Sequence, residues 1–330
     1  MRFLSLRWLL VLCPVLAYAA TNRDFPTAPI TASFDNWVLE DGKDLIFPSL
    51  IHADEYFEDP IAKYYLYTSP HGGADIRLYT ANSLDGPWNR YKTVVNAALA
   101  RAEHTSSPHA VWNKEAEALF LNVHAPNAQT VYLHSKNGVD FEFGGVCVTR
   151  EMITEVLPFT SRSGSYARIY RHRIPEYENT WTMTVTASGR NEDKTLNYNA
   201  VVLCTSDDGI HWTARRPLIN DGNQGIDYKA MDGCWLPLAG ENYLVYTLRS
   251  NTEEKGSREE PIRLHIAHAD KNWRNWRHLG IFYEPQAGFP DFKAARGFSW
   301  SLVDGEPVFL YEAGQNRTAR LARLKLDKKP

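Results

Sequence analysis

A phrase of roughly sixty residues recurs five times in this chain, and that period restricts its fold more than any other feature. The first copy, YYLYTSPHGGADIRLYTANSLDGPW, spans Tyr64–Trp88. It reads as a strand (Tyr64–Ser69), a Gly-rich loop carrying His71 and Asp75, a second strand (Ile76–Ala81) and a Ser-Leu-Asp-Gly-Pro-Trp turn. Related phrases occupy Leu119–Phe141, Trp181–Trp212, Tyr243–Trp276 and Val308–Leu326. From Leu66 through Phe120, Trp181 and Tyr243 to Val308 the steps are 54, 61, 62 and 65 residues. Units that cannot bury their apolar faces alone must pack against their neighbours, so residues 20–330 read as one domain.

A further strand opens each unit: IFPSLIHA (Ile46–Ala53), SSPHAVWN (Ser106–Asn113), YARIYRHR (Tyr166–Arg173), MDGCWLPL (Met231–Leu238) and RGFSWSLV (Arg296–Val303). With a fourth strand after each turn, the expected fold is all-β: a five-bladed β-propeller of four-stranded antiparallel blades around a channel. The last unit supplies only three strands before the chain ends. The strand expected at Phe34–Leu39 is available to complete it and close the ring.

Composition narrows the partners. Thirty-six basic against 39 acidic residues give a net charge of −3, which favours neither nucleic acid nor an anionic membrane surface. Ten Trp, 17 Tyr and 14 Phe suit strands, and they also suit stacking against sugars. The N-terminus, MRFLSLRWLLVLCPVLAYAA, places Arg2 and Arg7 before a short apolar run and a small-x-small site at Ala17-Tyr18-Ala19. Residues 1–19 therefore read as a signal peptide, and the protein as secreted or periplasmic, without a membrane partner after cleavage. Removing Arg2 and Arg7 takes the charge from −3 to −5. Cys147, Cys204 and Cys234 remain, too few for a disulfide framework and without the spacing of a cysteine zinc site.

In a propeller the innermost strands line the channel, and their entry ends, with the loops that follow, face the ligand side. The opener strands and their approaches then supply Ser49, His104, Ser107, His109, Tyr166, Arg168, Lys229, Asp232 and Arg296 as candidates. The loops add His71, Asp75, His124, Gln129, Arg190 and Arg249. A single histidine in a strand is more often a satisfied structural residue than a functional one. The case here rests on four of them at equivalent positions in the first two units. Asp75 and Asp232 have bland readings too, as a loop cap and a turn acceptor. Trp88, Trp212, Trp273 and Trp276 follow the turns and are expected to pack one blade on the next.

Tyr64–Trp88 closely resembles the first blade of the five-bladed propeller glycoside hydrolases, the superfamily of arabinanases and β-xylosidases. The turns SKNGVDF (Ser135–Phe141) and TSDDGIHW (Thr205–Trp212) are similar to the turns of those propellers. The resemblance covers nearly all of the mature chain and implies a carbohydrate substrate and glycosidic-bond cleavage. Those hydrolases carry an Asp on the first inner strand, another in the second blade and a Glu in the third. The matching positions here are Phe47-Pro48-Ser49, Ser107-Pro108-His109 and Tyr166-Ala167-Arg168, without a carboxylate among them.

Three functions follow. Hydrolysis needs two carboxyls, or a carboxyl and another acid, and Asp75 and Asp232 with a histidine are the available set. Eliminative cleavage of a uronate-containing glycan needs a Tyr or His base and a cation for the developing enolate. His104, His109, His124, Tyr166, Arg168 and Arg249 offer both. A non-catalytic propeller would bind glycan through exposed aromatics. The sequence requires no cofactor, while leaving room for a metal ion in the channel.

Overall fold

A computed structural model of the protein describes residues 27–39, 45–71, 73–126, 128–190, 197–220, 228–238, 240–250, 262–286, 294–314 and 320–327, less the side chains of 190, 197, 198, 220, 228, 229, 249 and 250. The expected signal peptide lies outside these residues. Strand β1 (Ala32–Leu39) comes first. Four complete blades follow, each running from the innermost strand outward. They are β2–β5 (Ile46–His52, Tyr64–Ser69, Asp75–Ala81, Asn89–Asn96) and β6–β9 (Ser106–Asn113, Ala118–His124, Gln129–Ser135, Glu142–Thr149). Next are β10–β13 (Ser165–Tyr170, Trp181–Arg190, Asn197–Ser206, Thr213–Asn220) and β14–β17 (Tyr228–Leu238, Glu241–Ser250, Leu264–Ala269, Arg277–Tyr283). The fifth blade joins β18 (Ala295–Val303), β19 (Glu306–Ala313) and β20 (Arg320–Leu326) to β1. Antiparallel pairing from Ala32–Leu326 to Leu39–Leu321 ties the two ends of the chain together and closes the ring.

Alternation along each strand sends apolar side chains to both sheet faces, and each face is buried against the next blade. One cluster joins Ile51, Tyr65 and Leu78 of the first blade to Leu119, Val131 and Leu133 of the second. Phe120 and Val148 meet Ile169, Trp181 and Val202 of the third. Burying each such side chain is worth about 1.5–3 kcal/mol, which no isolated blade collects. The turn residues act as expected: Trp212, Trp273 and Trp276 are buried, and Trp88 is half-buried against the seam between the fifth and first blades. Gly138 shows how closely one turn meets its neighbour. Its φ is +70°, and a Cβ there would lie 2.8 Å from Phe57. Its carbonyl accepts the Tyr67 hydroxyl at 2.6 Å across the first seam.

All five innermost strands carry the same bulge. Pairing with the second strand breaks between Ile46 and Ser49, Ser106 and His109, Ser165 and Arg168, Met231 and Cys234, and Arg296 and Ser299. One residue in each break is left-handed: Phe47, Ser107, Tyr166, Asp232 and Gly297, with φ between 53° and 61°. For a residue with a Cβ this costs roughly 1–2 kcal/mol.

Beyond the bulges the channel axis is filled by Arg168, 1 % exposed. It donates Nε to the Phe298 carbonyl (3.2 Å), Nη1 to Pro108 (3.4 Å) and Nη2 to Gly297 (3.3 Å). The third blade is thereby pinned to the second and the fifth through one side chain. Ser299 and Ser301 add hydroxyl bonds to the Pro48 and Leu50 carbonyls across the ring closure. Arg168→Met keeps the volume of the stem but leaves three buried carbonyls without their donor. We expect it to lower stability by about 3 kcal/mol or more, read as the midpoint and slope of urea unfolding.

Candidate active site

The five bulges lie at matching positions of the innermost strands and bring the side chains of Phe47, Ser107, Tyr166 and Asp232 to one end of the channel, its mouth. The residue before each bulge pairs with a residue near the end of the second strand, and those partners are Ser69, His124, Thr186, Thr247 and Glu312. Two of them serve the bulge of the next blade. Ser69 Oγ accepts from the Ser107 amide (3.2 Å), and Thr186 Oγ1 from the Asp232 amide (2.9 Å). The other positions carry the chemistry.

On the second blade, His104 and His124 meet Nε2 to Nε2 at 2.9 Å, so one ring donates and the other accepts. Burial, reinforced by His104 and His71, lowers the His124 pKa to about 3. On the third blade, the half-buried Tyr166 stands edge-on to His124, ring centres 5.2 Å apart, and stacks on Phe47 at 5.0 Å. On the fifth, Arg296 donates Nε to Glu312 Oε1 at 2.5 Å, and the carboxylate is completely buried. Burial opposes the Arg296 charge, but Glu312 and Asp232 outweigh it and hold the guanidinium above its ordinary pKa. The Arg296 side chain also reaches His71 Nδ1 at 3.4 Å, from the loop of the first blade.

The mouth thus gathers His71, His104, His124, Tyr166, Asp232 and Arg296 of the sequence-derived set, and adds Glu312. Glu312 is missing from that set because it lies within the repeated phrase Val308–Leu326 and not on an opener strand. Aligning it with Ser69 and His124 in the repeat is the signal that finds it.

Other candidates sit elsewhere. Arg168 is spent on backbone carbonyls in the channel. His109 bonds the Ile169 carbonyl through Nε2 (2.8 Å), further along β6, and burial, with Arg168 beside it, lowers its pKa to about 3. Ser49 Oγ accepts the Ala110 amide at 2.8 Å and joins the first two blades. Ser107 takes part through its backbone. Asp75 Oδ2 accepts from Arg77 and Thr93 of its own blade, both at 3.2 Å. Gln129 closes a turn with Ala125 and Pro126 through its main chain. The side chains of Arg190, Lys229 and Arg249 lie outside the described residues.

Among the described residues, no group of three or more His, Cys, Asp and Glu is arranged to hold a metal ion. None of their helices is long and apolar enough to cross a membrane. Cys147, Cys204 and Cys234 are free and buried.

Unfolded histidine titrates near about 6.5, whereas His124 in the folded chain stays neutral down to about 3. Between those values only the unfolded chain takes up the proton, so stability falls as the pH is lowered through this window. His124→Gln removes that term. Its unfolding free energy, followed from pH 6 to 4, is expected to decline less steeply than that of the wild type by up to about 1.4 kcal/mol per pH unit.

No protein-family model matches this sequence, and no curated protein matches it either. Solved structures do match, over most of both chains. An α-L-arabinofuranosidase from Lactobacillus brevis is 12% identical with a TM-score of 0.60, covering 85% of this chain and 90% of the other. A thermostable family-43 glycoside hydrolase is 13% identical with a TM-score of 0.57, covering 92% and 96%. An exo-1,5-α-L-arabinanase from a bovine ruminal metagenomic library is 12% identical with a TM-score of 0.57, covering 87% and 98%. At these identities the shared property is architecture: this chain has the five-bladed β-propeller fold of those glycoside hydrolases.

Proposed function

We propose that this chain is an exported carbohydrate-active enzyme that cleaves glycosidic bonds at the channel mouth, by hydrolysis. The observation that carries this reading is Asp232, a carboxyl at the left-handed bulge of an innermost strand. It lies in the field of Arg296, on the same mouth as the His104–His124 pair. Asp232 is the base or nucleophile. His104, bonded through Nε2 to the neutral His124, hands a proton to the departing sugar oxygen, and water supplies the new hydroxyl at the anomeric carbon while its proton passes to Asp232. Glu312 acts through Arg296, fixing the guanidinium that orients Asp232, and is a positioning residue. The propeller glycoside hydrolases with which the chain shares its fold support a glycan as substrate, and the near-neutral charge balance argues against nucleic acid.

A second reading rests on Tyr166, which stands edge-on to His124 with Arg296 acting on it electrostatically. On a uronate-containing glycan, Tyr166 or His124 removes the proton beside the carboxylate while Arg296 balances the enolate charge. The glycosidic oxygen then leaves with a proton, and a carbon–carbon double bond remains.

The test is a panel of neutral and uronate-containing polysaccharides, read for reducing ends and ultraviolet absorbance together. Hydrolysis yields reducing ends alone, and Asp232→Asn then loses at least roughly a hundredfold in turnover while Tyr166→Phe retains most of it. Absorbance appearing with the reducing ends reverses that order and selects elimination. If both variants cleave like the wild type, the mouth is not the catalytic site.

A further inference from the structure

The mouth has continuous walls, because a contact bridges each of its five seams. Ser69 Oγ of the first blade meets Ser106 Oγ (2.9 Å) and the Ser107 amide (3.2 Å) of the second. His124 and the edge-on Tyr166 close the second seam, and Thr186 Oγ1 takes the Asp232 amide at 2.9 Å across the third. Asp232 acts on Arg296 across the fourth, and Arg296 reaches His71 at 3.4 Å across the closing seam. The floor is shut as well. Phe47, 4% exposed, stacks on Tyr166 at 5.0 Å and lies over the Arg168 guanidinium at 5.6 Å. From the fifth blade, a Cβ on Gly297 would already touch the Phe47 ring and Glu312 Oε2, both at 3.4 Å. Among the described residues the mouth therefore opens in one direction, away from Arg168.

Depth separates the reacting groups. Asp232 is 3% exposed, and the Arg296–Glu312 pair beside it 5% and 0%. His104 is half-buried and so stands nearer the opening than the carboxyl. Substitution at an anomeric carbon puts the attacking group and the departing oxygen on opposite sides of that carbon. With Asp232 below and His104 above, the departing oxygen points out of the mouth, and the chain that carries it lies in solvent. The unit held inside is joined to that chain through its own anomeric carbon. A second neighbour, on any of its other hydroxyls, would have to pass through a wall or the floor.

We propose, on the reading that the mouth hydrolyses glycosidic bonds, that it acts on chain ends: an oligo- or polysaccharide inserts its non-reducing terminal unit and loses that one unit per turnover. The bond between the anomeric carbon and the bridging oxygen breaks, and His104 gives that oxygen its proton. Water bonds to the anomeric carbon, its proton passes to Asp232, and the shortened chain departs with a hydroxyl at its new non-reducing end. The supply of chain ends then sets the rate, so the reaction that provides this substrate is one that cuts glycans internally.

The experiment takes the purified mature protein to arabinan, galactan, xylan and polygalacturonate, and to oligosaccharides of each with a fluorescent label at the reducing end. The free monosaccharide is expected as the sole low-mass product from the outset, with polymer viscosity holding while reducing ends accumulate. Labelled oligosaccharides should shorten one unit at a time and keep the label on the shortened chain. Polymer cut beforehand with mild acid should react faster at equal mass, in proportion to its chain ends. Asp232→Asn should lose these activities together. An early fall in viscosity, or a first labelled product shorter by more than one unit, overturns the proposal and leaves hydrolysis at the mouth standing. If neither polymers nor labelled oligosaccharides are cleaved, or if Asp232→Asn cleaves like the wild type, hydrolysis at the mouth is refuted and the proposal with it.

Discussion

The mouth of this propeller depends on a backbone conformation that four of its five residues adopt at a cost. Phe47, Ser107, Tyr166 and Asp232 are held left-handed, and only Gly297 takes that shape freely. A bulge adds a residue to one strand and re-aims the side chain at that point. Repeated around a ring, it brings four side chains and one glycine to equivalent places at the same end of the channel. The seams between blades supply the free energy that keeps the bulges in place, since innermost strands such as β2, β6 and β10 are buried on both sides. Strain persists where the surroundings over-determine it, and here the surroundings are the neighbouring blades.

Arg168 sets the other constraint. Buried guanidinium groups are usually matched with carboxylates, yet this one donates to three backbone carbonyls and lies over the face of Phe47 at 5.6 Å. Carbonyl dipoles stabilise the charge less than an anion would, but they come from two other blades, so the charge is satisfied only when the ring is assembled. The same side chain separates the two ends of the channel. His124 and His109 lie on adjacent paired strands, and both have pKa values near 3, but they stand on opposite sides of it.

The repeat made the architecture legible. Its period, the opener strands and the closing role of the N-terminal strand are all properties of hydrophobic pattern, which depends on near neighbours in the chain. β6 matches its expected span at both ends, and β1 extends two residues before the strand expected at Phe34. The site was legible only in part, because the bulge breaks the alternation that assigns side chains to faces. Reading Ser107-Pro108-His109 or Tyr166-Ala167-Arg168 as a continuous strand places His109 and Arg168 beside the mouth residues. The inserted residue instead moves both down the channel. Glu312 was hidden for a different reason: its pairing with Arg296 spans sixteen positions, and no local pattern records it.

Phe47 connects these points. It opens Phe47-Pro48-Ser49, the stretch that on the resemblance matches a carboxylate position of the propeller hydrolases, and here its ring stacks on Tyr166 and packs against Ile46. An apolar group beside a buried ion pair lowers the local dielectric and strengthens every charge interaction that remains. With Phe47 at this bulge, Arg296 is shared by Glu312 and Asp232 in a drier setting. On the proposed function the catalytic demand falls on the second, fourth and fifth blades, and a fold whose five bulges are equivalent permits such a placement without moving its backbone.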